Sequence, residues 1–177
     1  MQKKVEMLDV YNARGFKVGV IERKDAHKKD AGVFHKAVHI WIINEENKLL
    51  IQQRAPWKPT CPNMWDISAA GHVEEGETLL ETCVRETFEE IGIKVDPKDF
   101  IYVGELVHKE LWEFTEQFIV RINARIEDMT LQVEEVQQVK WIDIPSFKKL
   151  LYSKDFMDHS FTYKFFMHRF LSQHFGE

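Results

Sequence analysis

Glu86, Glu89 and Glu90 lie three and four residues apart, with Arg85 immediately before them. On a helix, at about 100° per residue, the three carboxylates share an arc of roughly 100°. Like charges at these spacings cost a helix a few tenths of a kcal/mol per pair, so the arrangement calls for a counter-charge. A divalent cation supplies one. Glutamate oxygens suit a hard ion such as Mg2+ or Mn2+, which keeps several waters and takes its remaining ligands from substrate phosphates. Arg85 can pair with a neighbouring carboxylate and hold it in place. The competing reading is a solvated acidic helix face.

The flanking residues predict the element that must carry this chemistry. Thr78-Leu-Leu-Glu81 has the pattern of a capping box and Gly92 that of a helix stop. Between them Leu80, Val84, Thr87 and Ile91 recur at helical spacing and are expected to face the core. Gly71 and Gly76 bracket a turn before the helix that lets backbone approach a ligand, and Glu77 sits where the loop meets the helix N-terminus.

Residues 71–93 as a whole resemble the Nudix box, Gly-x5-Glu-x7-Arg-Glu-U-x-Glu-Glu-x-Gly-U with U apolar. The match falls on Gly71, Glu77, Arg85, Glu86, Glu89, Glu90, Gly92 and Ile93. Thr87 stands where an aliphatic residue is usual, and its hydroxyl is expected to bond back to the Cys83 carbonyl. The resemblance implies an α/β fold, a Nudix-type α/β/α sandwich with a mixed β-sheet, and hydrolysis of a nucleoside diphosphate linked to a further moiety. It implies Mg2+ or Mn2+ as cofactor, with Glu86, Glu89 and Glu90 as ligands and Gly71 and Glu77 in the metal-binding set. Arg85 would orient the ligands. Glu89 is the favoured general base, with Glu113 and Glu116, expected in a loop before a strand at 118–126, as runners-up.

Segments outside the box are similar to the Nudix branch that holds isopentenyl-diphosphate isomerase and its hydrolase relatives. They are Asp25-Ala-His27, His35-Lys-Ala-Val-His39-Ile-Trp41, Leu50-Ile-Gln-Gln-Arg54 and Trp65-Asp-Ile-Ser-Ala-Ala-Gly-His72. In the isomerase the residue before the Gly-His pair is a proton-transferring cysteine; here it is Ala70, which cannot transfer a proton. His35 and His72 match two histidines that ligate the isomerase's metal. His27 is one residue out of register with a third, and Glu113 matches a carboxylate ligand whose partner position is Leu111. Each histidine also has a structural reading, which the sequence favours, and His39 reads as a hydrogen-bonded sheet histidine. Three functions follow in order of support: a metal-dependent diphosphohydrolase, a prenyl-diphosphate isomerase, and a sensor that binds a nucleotide without turning it over.

The chain has 177 residues, 44% of them hydrophobic and 12% aromatic, which fits one folded domain over 1–177. A net charge of −5 without a dense basic block argues against a stable nucleic-acid partner. Cys61 and Cys83 form no Cys-x-x-Cys motif, and no apolar run suits a signal peptide or membrane span, so a cytoplasmic protein without a membrane partner is expected. A hairpin is expected over 8–21, strands over 37–43, 48–53, 65–70, 100–107, 118–126 and 139–142, and helices over 145–151 and 162–174. Tyr163, Phe166, Met167, Phe170 and Leu171 recur at helical spacing and read as core, or as the face of a homodimer. Around the small-molecule diphosphate substrate, Trp57 and Trp112 can stack on a base, Arg54 and Lys58 can meet a phosphate, and Glu113 can line the pocket.

Overall fold

A computed structural model describes residues 5–175. A hairpin comes first, β1 (Met7–Tyr11) and β2 (Lys17–Glu22), followed by one helical turn, α1 (Arg23–Ala26). Strands β3 (His35–Ile43), β4 (Leu49–Arg54), β5 (Trp65–Asp66) and β6 (Ala69–His72) lead into helix α2 (Leu79–Ile91). Strands β7 (Ile101–His108), β8 (Glu113–Arg121) and β9 (Val136–Ile142) precede α3 (Ile144–Leu151) and α4 (Phe161–Phe175).

Strand β3 is buried along nearly its whole length and therefore needs cover on both faces. Val38, Ile40 and Ile42 pack with Cys83 and Ile91 of α2 on one side. Trp41 and Ile43 pack with Phe147 of α3 and Tyr163, Met167 and Leu171 of α4 on the other. The result is a mixed sheet between helical layers. β3 and β8 run parallel at its centre, and every other pairing in the sheet is antiparallel.

The sheet forks at β3. Only Ile43 pairs with β4, at Leu49, whereas Ala37–Ile40 pair with β6. The expected strand over 65–70 is thus two short strands with different partners: β5 follows β4 and β6 follows β3. Ser68 sits at the break, its hydroxyl donating to Leu50 O at 2.6 Å and accepting from Ile42 N at 2.8 Å. Helix α2 lies over the fork.

The box helix begins and ends as its sequence dictates. Thr78 Oγ1 accepts from Glu81 N and the Glu81 carboxylate accepts from Thr78 N, while Gly92 closes the helix in the left-handed region at φ 73°. Thr87 and Ile91 are buried and Val84 packs against the core, as expected, whereas Leu80 is exposed and Thr82, Cys83 and Glu90 join the buried face. Thr87 Oγ1 is buried and has no hydrogen-bond partner among the described residues, so the expected bond to Cys83 is absent. Packing outweighs the local charge cost: burying Ile91 alone contributes about 1.5–3 kcal/mol, against a few tenths per Glu pair.

Strand β8 starts five residues before the expected position, so Glu113 and Glu116 belong to the strand and the loop shrinks to a 3-10 turn at Lys109–Leu111. Alternation along β8 then sends the two glutamates to different neighbours.

Candidate active site

Arg85 organises the acidic residues around it. Its Nε and Nη2 donate to the two oxygens of Glu77, both at 2.8 Å, and Nη1 donates to Glu86 Oε1 at 2.6 Å and to Glu89 Oε2 at 3.4 Å. Nη2 also donates to the backbone carbonyl of His72 at 3.0 Å, which ties α2 to β6. The fork-shaped guanidinium suits this work, since it satisfies several acceptors with one rigid group. Glu77 is further held by Thr82 Oγ1 at 2.9 Å and Glu74 N at 3.2 Å.

Glu86 lies directly over Gly71. A Cβ at 71 would stand 1.8 Å from Glu86 Oε1 and 1.9 Å from its Cδ, so only glycine leaves room for the carboxyl. Glu90 reaches into the fork, where its Oε2 accepts from Gln52 Nε2 of β4 at 3.0 Å and from Ala70 N of β6 at 3.2 Å. Glu89 is half-exposed. The three carboxylates therefore form a graded set, one over the β6 backbone, one inside the fork and one facing solvent.

Burial pushes the Glu86 carboxyl up to about 7, against the pull of Arg85 and with the charge of Glu89 adding to the rise. Glu90 is driven well above the ordinary carboxylate range by burial first and by Glu86 second. Without a counter-ion these groups resist ionising together. The donor set is oxygen only, on a close glycine floor, and it fits a hard divalent cation. Glu86, Glu89 and Glu90 are the residues able to hold one, whereas both oxygens of Glu77 are engaged by Arg85.

A second cluster lies next to the first. His27, His35, His72 and Glu113 bring one potential ligand atom each to within 4.8 Å of one another. They come from the end of α1 and from β3, β6 and β8. His35 Nε2 is 3.1 Å from Glu113 Oε2, and His72 Nε2 is 3.8 Å from the same oxygen. Burial would raise Glu113, but the hydrogen bond with His35 and the charges of His72 and His35 outweigh it and hold the carboxyl at about 2. His35 Nδ1 is buried and has no hydrogen-bond partner among the described residues. The one-residue offset of His27 proves no obstacle, since the turn of α1 places its ring 4.7 Å from that of His35 and 4.9 Å from that of His72. Sequence comparison set His27 one residue out of register with the third histidine position, and its proximity depends on the α1 turn.

The remaining sequence candidates are placed as follows. Arg54 Nη2 donates to Thr60 O at 3.1 Å, and Nη1 lies 3.5 Å from Asp66 Oδ2. Lys58 pairs with Glu135. Trp57 is exposed, its indole N–H donating to Glu134 O at 3.1 Å, and Trp112 donates to Lys29 O at 2.9 Å. Glu116 is buried, accepting from Lys36 Nζ at 2.5 Å and from the Tyr102 hydroxyl at 2.9 Å. His39 Nδ1 and the Tyr163 hydroxyl are 3.1 Å apart, as a hydrogen-bonded sheet histidine requires. A pairing that spacing did not suggest joins His159 Nε2 to Asp66 Oδ1 at 3.0 Å. The two are 93 residues apart, and only their tertiary approach reveals it.

The family model described as NUDIX domain matches residues 33–165. The chain belongs to the Nudix family. Among Nudix relatives, an uncharacterized Nudix hydrolase of Clostridium acetobutylicum is 36% identical over 159 residues, covering 84% of this chain and 75% of that protein. Nudix hydrolase 3 of Arabidopsis thaliana is 37% identical over 162 residues, 85% of this chain but 21% of the plant protein. An isopentenyl-diphosphate Delta-isomerase of Escherichia coli O127:H6 is 29% identical over 142 residues, 78% of each chain. The crystal structure of DR0079 from Deinococcus radiodurans superposes with a TM-score of 0.76 at 21% identity, covering 96% of this chain and 99% of that one. An Ap4A hydrolase binary complex from C. elegans gives a TM-score of 0.56 at 20% identity, covering 78% of this chain and 96% of that one. These two likenesses show the Nudix fold. No helix among the described residues is long and apolar enough to cross a membrane.

Proposed function

We propose that this Nudix protein is a Mg2+- or Mn2+-dependent diphosphohydrolase acting on a small-molecule diphosphate, with Glu86, Glu89 and Glu90 holding the metal. The observation that carries the reading is the placement of Glu86 over Gly71 and Glu90 in the fork, both beside the Arg85 clamp. When bound, the cation would neutralise charge on the diphosphate as the leaving oxygen departs. Arg85 holds Glu77 and Glu86 in fixed positions, so their orientation is set before substrate arrives. Gln52 and Ala70 N anchor one oxygen of Glu90 and leave the other for a ligand. Glu89, the solvent-facing carboxylate, takes the proton of the attacking water. Ala70 leaves the isomerase reading without its thiol, and the hydrolase is the better supported function.

The test is a panel of nucleoside triphosphates, dinucleoside polyphosphates, nucleotide sugars and coenzyme A, each assayed with Mg2+ and with Mn2+. Turnover is expected on at least one, and Glu90→Gln should abolish it while circular dichroism and the melting transition persist. Undiminished turnover in Glu90→Gln would sink the assignment.

The histidine cluster supports a second metal of a different kind. Three imidazoles and one carboxylate can complete a tetrahedral shell, and nitrogen-rich sites favour Zn2+ or another transition ion over Mg2+. Such an ion would bind α1, β3, β6 and β8 to one another and pull protons from the imidazoles it takes.

A further inference from the structure

Each imidazole of the histidine cluster has two ring nitrogens, and only one of them can face a cation. The other carries the proton, and the group it donates to sets how the ring is turned. His27 Nδ1 lies 2.9 Å from the carbonyl oxygen of Arg23, four residues earlier across the single turn of α1. A carbonyl can only accept, so the proton of His27 is on Nδ1 and Nε2 keeps its lone pair. His72 is placed in a similar way. Its Nδ1 lies 3.5 Å from Glu6 Oε1, and an ionised carboxylate can only accept. Its Nε2, 3.8 Å from Glu113 Oε2, is beyond hydrogen-bond reach of an oxygen that already accepts from His35 Nε2 at 3.1 Å. His35 differs from both, since its Nδ1 is buried with no partner among the described residues and packing alone turns its ring.

Glu6 stands just ahead of β1, where the hairpin ladder passes to α1. Arg23 N donates to Glu6 O at 2.9 Å, extending the pairing of Met7 with Glu22, and Arg23 Nη1 donates to Glu6 Oε2 at 2.7 Å. The two oxygens of the carboxylate are therefore divided, Oε2 to Arg23 and Oε1 to His72. The Glu6 side chain is only 27% exposed, so its position is fixed by the hairpin and α1 together. A single residue of α1 thus touches both arrangements: the Arg23 carbonyl meets His27, and its guanidinium grips the carboxylate beside His72.

Taking the histidine cluster as the metal site proposed for it, we infer that Glu6 is a positioning residue of that site. Its carboxylate accepts from Nδ1–H of His72 and leaves the Nε2 lone pair on the side of Glu113, as the Arg23 carbonyl does for His27. Neither ring then has to change tautomer before it meets a cation. Partners of this kind turn the ring and raise its basicity, and removing one costs about 10–100-fold in metal affinity. The Arg23 side chain is a clasp between hairpin and α1. Half-exposed, its ion pair contributes little by itself.

Imidazole 15N–1H correlation spectra of the metal-free protein at about pH 8, above the ordinary histidine range, and Co2+ titrations of the same samples test this. His72 should carry its proton on Nδ1 in the wild type and become a mixture of tautomers in Glu6→Ala, with Co2+ affinity falling about 10–100-fold. Arg23→Met removes the clasp but keeps the carbonyl and Glu6. It should lower the melting transition about as much as Glu6→Ala does, while Co2+ affinity changes by less than about threefold. Equal losses of affinity in the two variants would show that Glu6 only braces the hairpin, and would overturn the inference. So would a wild-type His72 with its proton on Nε2, a result that depends on no variant folding. A wild type that takes up no Co2+, with the Nδ1 proton of His72 present and lost in Glu6→Ala, would remove the metal reading and uphold the placement of His72 by Glu6.

Discussion

Oε1 of Glu86 occupies the space that a side chain at Gly71 would fill, 1.8 Å from the position of its Cβ. The β6 backbone is therefore the floor of the acidic site, and a residue on the neighbouring strand decides where a carboxylate of α2 can rest. Gly71→Ala should force Glu86 aside. The obstructing atoms belong to a flexible side chain, so the protein should fold with little change in melting temperature. Mg2+ affinity measured by calorimetry should fall about 10–100-fold, the usual cost of disturbing the surroundings of a metal ligand. Unchanged affinity would show that Glu86 does not use this position when metal binds.

Arg85→Lys retains the charge and loses the fork. A lysine cannot bond both oxygens of Glu77 while also reaching Glu86 and the His72 carbonyl. Turnover should drop about 10–100-fold, with the thermal transition lowered slightly. If lysine restores full activity, the clamp has no positioning role.

The metal-free protein should weaken as pH rises through the range where Glu86 ionises. Its carboxyl sits at about 7 in the folded chain against an ordinary 4.5. Between those values the native state holds a proton that the unfolded state has lost, so stability falls with rising pH. The fall amounts to about 3 kcal/mol for 2.5 units at about 1.36 kcal/mol each. Glu90, shifted in the same direction, adds to it. Urea unfolding in chelator at pH 4.5, 6 and 7.5 should show the wild type losing ground to Glu86→Gln as pH increases, and Mg2+ should narrow the gap. Parallel pH profiles for the two proteins would contradict this.

The histidine cluster makes a separate prediction. Co2+ added to metal-free protein should give one equivalent of bound ion with the visible absorption of a nitrogen- and oxygen-ligated site. His35→Ala should abolish that absorption while leaving Mg2+ binding at the box intact. Zn2+ should also raise the melting temperature of the wild type and not of His35→Ala, since the cluster joins α1 to three strands. Loss of both metal responses together would mean the two clusters are one site.

The order of elements and the limits of the box helix were readable because their causes are local. A hydroxyl three residues before a glutamate makes a capping box, a glycine ends the helix, and apolar alternation marks strands. The spacing of Glu86, Glu89 and Glu90 likewise fixes their common face on any helix. Position 70, too, is an alanine in any fold.

Tertiary structure decided what depends on how elements meet. The way α2 sits over the fork buried Glu90, where Gln52 and Ala70 N can donate to it, and left Leu80 exposed. The parallel pairing of β3 with β8 set His35 opposite Glu113, and the turn after α1 brought in His27 despite its offset in the sequence. Spacing along the chain places side chains on one element's face; only packing between elements sets the few ångströms on which metal ligation depends.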